Sequence, residues 1–182
     1  EGQVHTGEMM RGLLQLAKEQ GIDCYAGIEI KNLNDLGPQG VALQTKQGWT
    51  INASQVVVAT NGFTQRLLPG LAVQPARNQV LITQPIPGLK IKGCFHYDEG
   101  YYYFRNIDNR ILLGGGRNLD PEGETTDQFG NHPLIRRALL QLLQEVILPG
   151  QRVEIAQWWT GILGVGPTKA PILQRVSPNV IT

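Results

Sequence analysis

The sequence has 182 residues, 41% hydrophobic and 17% charged, with a formal net charge of +1. This balance is ordinary for a folded globular chain and excludes a disordered one, and the scattered Lys and Arg residues give no basic field that would attract nucleic acid or anionic lipid. No apolar stretch reaches the roughly 18 residues that span a bilayer, and the first residues, with Glu1, His5 and Glu8, lack the basic and apolar regions of a signal peptide, so no membrane span and a soluble, cytoplasmic location are expected.

Cys24 and Cys94 form neither a CxxC pair nor a disulfide framework and are expected to be inert, buried or half-buried thiols. His96 and His132 have no partners at metal-ligand spacing, so no metal site is expected. The 22 glycines and 11 prolines are spread among periodic segments, without a repeat or a low-complexity tract. Both ends read as cut, which suggests an interior piece of a larger protein.

In chain order, Thr6 is the expected N-cap of a first helix in which Met9, Met10, Leu13, Leu14 and Ala17 recur at helical spacing, with the methionines in a core and Gly21 as terminator. Short β segments follow at about 22–26, 28–33 and 41–51, the last a hairpin through Lys46-Gln47-Gly48. The run Val56-Val57-Val58-Ala59-Thr60-Asn61-Gly62 reads as a strand buried on both faces, as in a helix-covered parallel sheet, breaking into a small-residue turn. Pro69, Gly70 and Pro75 mark a domain crossing.

Beyond Arg77 an antiparallel meander is expected over 79–83, 100–105 and 110–114, with 106–109 as a turn. After a polar loop at 118–131, a helix starts at His132-Pro133 and turns Leu134, Ile135, Ala138, Leu139, Leu142, Leu143 and Val146 toward the sheet. Pro149-Gly150 ends it, and a strand at 152–159 leads into the Gly-rich run 161–167.

Taken in order, several segments resemble the D-amino-acid-oxidase-type FAD-dependent oxidoreductases, which include glycine and sarcosine oxidases. They are Val4-His5 before a helix, 56–62, Gly100-Tyr101-Tyr102-Tyr103-Phe104-Arg105, Asp108-Asn109-Arg110-Ile111-Leu112-Leu113-Gly114-Gly115, Trp159-Thr160-Gly161 and Pro171-Ile172. The resemblance runs over nearly the whole chain but lacks the N-terminal GxGxxG that holds a pyrophosphate and the C-terminal segment that covers the flavin. It implies FAD as cofactor and an α+β fold: an α/β flavin-domain portion plus an antiparallel-sheet substrate domain with a packed helix. Residues 1–73 would be a partial FAD-binding domain, 74–159 the substrate-binding domain and 160–182 a return into the FAD-binding domain, with the flavin ring between the domains.

The same resemblance implies that the strand at Ile30 meets the adenine, that Ala59, Thr60 and Gly62 lie against the nucleotide half, and that Gly161, Ile162 and Gly164 run beside the ring. Small residues suit backbone approach to a flat cofactor, although each glycine also suits a turn or tight packing. The implied reaction removes a hydride from a carbon next to nitrogen, so no demanding acid/base triad is expected, and none is visible. The partners would be a small amine or amino-acid substrate and an electron acceptor, oxygen or another. Tyr101, Tyr103 and Arg105 alternate onto one strand face and would meet a substrate carboxylate, with Tyr102 and Phe104 facing away; sheet packing is the other reading. His5 is a candidate substrate-site base or a helix-start packing residue. Of Trp158 and Trp159, which must face opposite ways, one would edge the flavin.

The chain departs from the family in two places. Leu163 stands where glycine-oxidase-like relatives carry an Arg that clamps the substrate carboxylate. Ile111, Leu112 and Leu113 fill the strand in which sarcosine-oxidase-like relatives carry a Lys that helps oxygen react, which opens a dehydrogenase role with another acceptor. Lys169 could place charge near the ring, and an exposed loop lysine is the other reading. A non-catalytic small-ligand-binding module with the same fold is the competing reading, and an edge position for 56–59 would instead indicate an unrelated α/β domain.

Overall fold

The computed structural model describes residues 2–168 and 170–182, and Lys169 lies outside them. The chain divides into two compact units: Glu1–Ala59, Arg66–Pro69 and Pro171–Thr182 form the first, and Thr60–Gln65 with Gly70–Ala170 form the second. No helix among the described residues is long and apolar enough to cross a membrane.

The first unit opens with helix α1 (Thr6–Glu19). Its N-cap is His5 and not Thr6: the extended backbone at His5 lets Nδ1 accept from the Glu8 N–H at 3.2 Å. Gly21 (φ 75°) ends it as expected, with Gly21 N–H donating to Lys18 O and Ile22 N–H to Ala17 O. None of the helix is buried, so Met9 and Met10 are exposed and not in a core. No strand forms at 22–26. Strands β1 (Ile30–Asp35), β2 (Val41–Thr45) and β3 (Thr50–Ala53) make an antiparallel sheet in that order.

A second small sheet joins β4 (Val56–Val57) in parallel to β11 (Val180–Ile181), which pairs antiparallel with β10 (Arg175–Ser177). The doubly buried strand expected at 56–60 is not observed. Only two residues pair, β4 lies at the sheet edge, and Val57 is 65% exposed while Val58 is buried, because the run has a strand on one side only among the described residues. Asp35 ties the two sheets: its carboxylate accepts from Ser177 Oγ, from Asn179 N–H at 2.9 Å and Asn179 Nδ2 at 2.8 Å, and from Gly37 N–H at 2.9 Å.

The second unit is a five-stranded antiparallel sheet in the order β6-β7-β8-β5-β9, formed by β5 (Gln74–Thr83), β6 (Cys94–Tyr97), β7 (Tyr102–Ile107), β8 (Arg110–Gly115) and β9 (Ile155–Val165). Asp108 and Asn109, both at positive φ, make the two-residue turn between β7 and β8. The sequence did not indicate β6, and β9 runs past the expected end at 159 through Gly161 and Gly164 of the Gly-rich run.

Helix α2 (Pro133–Leu142) covers one sheet face, where Ile135, Leu139, Leu142 and Leu143 meet Leu81, Ile111 and Leu113. Leu134 is exposed, and so is Val146, at 54%. The cause at Val146 is a π turn over Leu143–Ile147, closed by Leu148 N–H to Leu143 O. One added residue rotates the helix, so Ile147 replaces Val146 in the core.

Candidate functional site

Strand alternation and register sort the side chains of the five-stranded sheet onto two faces. Tyr102, Phe104 and Trp158 join Leu81, Ile111 and Leu113 on the α2 side, and Trp158 receives Arg136 over its ring at 4.5 Å. The register then puts Tyr103 and Arg105 on the opposite face, together with Cys94, His96, Leu112, Gly114, Val80, Asn78, Trp159 and Gly161. None of the strand residues on that face is acidic, whereas Arg105 and Arg110 bring positive charge to it.

Tyr103 lies over its cross-strand partner Gly114: a Cβ on Gly114 would stand 2.5 Å from the Tyr103 hydroxyl. Burial pushes the Tyr103 hydroxyl pKa up, so the group stays a donor well into alkaline solution. It has no hydrogen-bond partner among the described residues. Arg105 Nε donates to Asn106 O at 3.4 Å. Tyr101 is exposed and sits in the turn before β7, outside the alternating strand, where its N–H donates to Asp98 O and its C=O accepts from Gly116 N–H.

The turn after Ala59 is positioned by β9. Thr60–Gln65 belong to the second unit, and within it Asn61 Oδ1 accepts from Gly164 N–H at 2.7 Å while Asn61 Nδ2 donates to Ile162 O at 3.3 Å. A Cβ on Gly62 would meet Ile162 Cγ2 at 2.6 Å and Leu163 O at 2.7 Å, and one on Gly164 would meet Asn61 at 2.9 Å. The missing side chains of Gly62 and Gly164 are therefore used in the close approach of turn and strand. Gly161 differs, with no atom within 4 Å of where its Cβ would stand, and half-exposed Trp159 shares its face. That bare backbone beside an aromatic side chain suits a flat ring such as a flavin.

The structure thus brings Thr60, Gly62, Gly161, Ile162 and Gly164 into one unit with Tyr103 and Arg105. Ile30, half-buried at the start of β1 opposite Thr45, exposed Ala59, and the helix cap His5 belong to the other. Asn61 was missed by sequence reasoning; an Asn between Thr and Gly after a strand was its only signal, and that reads simply as a turn. Cys24 and Cys94 are both exposed, contrary to expectation. His132 pairs with Asp120 at 2.8 Å, which, after the Gly123 N–H, helps hold that carboxyl below its ordinary pKa. Among the described residues no group of three His, Cys, Asp or Glu side chains could hold a metal.

Comparison with known proteins assigns the family. The chain is 27% identical to the probable oxidoreductase OrdL of Rhizobium meliloti (strain 1021), over all of this chain and 42% of that protein. Its fold is similar to iminodiacetate oxidase from Chelativorans sp. BNC1 (TM-score 0.74, 18% identity, 95% of this chain and 47% of that one). It is also similar to L-proline dehydrogenase from P. horikoshii (TM-score 0.71, 19% identity, 91% and 46%) and to glycine oxidase from Geobacillus kaustophilus (TM-score 0.71, 19% identity, 91% and 44%). The chain spans less than half the length of these relatives. A family model described as FAD dependent oxidoreductase matches residues 1–182, and this outweighs the edge position of β4 as a sign of an unrelated domain. The chain belongs to the FAD-dependent oxidoreductase family.

Proposed function

We propose that the protein of which this chain is part oxidises a C–N bond of a small amine or amino acid, and that the five-stranded sheet binds the substrate. The observation that carries this reading is a sheet face without acidic strand residues, on which the half-buried Tyr103, whose hydroxyl has no hydrogen-bond partner among the described residues, accompanies Arg105. Arg105 offers charge to a carboxylate and Tyr103 offers a hydrogen bond. FAD, when bound, supplies the hydride acceptor that no side chain provides. Two electrons leave the substrate carbon with its hydrogen as a hydride, and the nitrogen loses a proton. The resulting imine is hydrolysed by water to a carbonyl compound and an amine or ammonia.

In this reading Ile30 meets the adenine, Ala59, Thr60 and Gly62 lie against the nucleotide half, and Gly161, Ile162 and Gly164 present backbone to the ring, with Trp159 at its edge. Leu163 carries no charge, so Arg105 is the carboxylate partner. Leu112 is the β8 residue on the proposed substrate face between Arg110 and Gly114, and this uncharged position favours an electron acceptor other than oxygen. Tyr101 and His5 are proposed at the periphery of the substrate site.

The test is steady-state kinetics of Arg105→Met in the full-length protein. A carboxylate-bearing substrate should show KM raised about tenfold or more with kcat little changed, as loss of uniform binding requires. Unchanged KM would remove Arg105 from the site.

A further inference from the structure

Strand β9 is the last strand of its sheet, so one edge of it faces away from β5. On that edge the backbone C=O of Ile162 and N–H of Gly164 point the same way, as alternate residues of a strand do. A neighbouring parallel strand would engage both with the N–H and C=O of one of its residues. Here the side-chain amide of Asn61 does so, with Oδ1 accepting from Gly164 N–H at 2.7 Å and Nδ2 donating to Ile162 O at 3.3 Å. Asn61 is itself held: its φ is 50°, a conformation that Asn tolerates better than most non-glycine residues, and its C=O accepts from the buried Thr64 Oγ1 at 2.7 Å.

We infer that Asn61 is a positioning residue for the cofactor, a side chain that acts as one rung of the β9 ladder and sets the backbone of 161–164 in register with the turn 60–62. The inference rests on the proposed function, which assigns those two segments to the ring and to the nucleotide half. One amide therefore couples both contacts. Without it, the 161–164 edge has no partner on that side among the described residues, and Gly161 and Gly164 let it deform. Asn61 touches no reacting atom and acts through Ile162 and Gly164.

The test uses the full-length protein with its flavin. Asn61→Gly keeps the left-handed backbone unstrained and deletes both bonds, and Asn61→Asp keeps the acceptor for Gly164 and removes the donor to Ile162. Hydrogen exchange should show the Gly164 amide exchanging about tenfold or more faster in Asn61→Gly, protected in Asn61→Asp, and amides of 79–82 unchanged in both. The visible flavin band should shift in Asn61→Gly, and flavin reduction at saturating substrate should slow about tenfold with substrate Kd nearly unchanged, as a misplaced reacting geometry requires. A wild type reduced by an amine, with Asn61→Gly identical in spectrum and reduction rate, would overturn the inference alone. A wild type that holds no flavin would overturn both the inference and the function on which it rests.

Discussion

Glu124 is fully buried and Arg77 Nη2 lies 2.6 Å from its carboxylate, forming an ion pair that fixes the long loop 118–131 to the end of β5. The backbone joins in, with Arg77 N–H donating to Glu124 O at 2.8 Å beyond the point where β8 stops pairing with β5. Gln79 Nε2 adds bonds to Glu124 and to Gly130 O. Removing one partner leaves the other charge buried, so Glu124→Ala is expected to destabilise the protein by about 3–5 kcal/mol, and Glu124→Gln by less. Denaturant unfolding of the full-length protein checks this.

Tyr103 and Gly114 give a second prediction. Gly114→Ala places a methyl group against the Tyr103 hydroxyl and forces the ring to move, at a cost of about 1–3 kcal/mol in stability. Tyr103→Phe removes a hydroxyl without a partner and should leave stability within about 0.5 kcal/mol. In the proposed site it should lower kcat/KM about tenfold, the worth of one hydrogen bond. Because burial raises the hydroxyl pKa above its ordinary value, this donor should persist to at least pH 10, which a pH profile of substrate binding would read.

Asp35 makes the first unit acid-sensitive. Hydrogen bonds from Ser177 and Asn179 hold its carboxyl well below the usual carboxylate range. Its folded pKa lies below that of an unfolded aspartate, about 3.9, so the stabilisation is full above that pH and is lost as pH falls through it toward the folded value. Asp35→Ala should destabilise at pH 7, and the difference from wild type should shrink below about pH 4. Unfolding titrations at pH 7 and pH 3 would show it.

The π turn after α2 predicts opposite outcomes at neighbouring positions. Ile147→Ala opens a cavity in the core and should cost about 2–5 kcal/mol, whereas Val146→Lys, on the exposed side, should stay within about 0.5 kcal/mol. Thermal unfolding of both variants decides it.

Much of the second unit was legible because its signals are local. Asp108-Asn109 specify the hairpin, and the alternation of Tyr102 and Phe104 with Tyr103 and Arg105 specifies the faces. The first part of α2 follows its apolar spacing until the π turn, which leaves no mark on a helical pattern. The first unit misled for a physical reason: Val57 and the apolar residues Met9, Met10, Leu13 and Leu14 of α1 stay exposed, so hydrophobicity overstated burial. The buried Glu124 and the Asn61 bridge depend on partners 47 and 103 residues away, and a polar loop residue gives no sign that the fold will bury it.

The proposed function makes the full-length protein a flavin-dependent C–N oxidoreductase. The most direct measurement is its visible absorption spectrum, taken anaerobically before and after adding a panel of secondary amines and amino acids. Flavin bands that bleach with one of them, yielding the corresponding carbonyl product, are the predicted result. A colourless protein that FAD cannot reconstitute would contradict the account and favour a non-catalytic binding module.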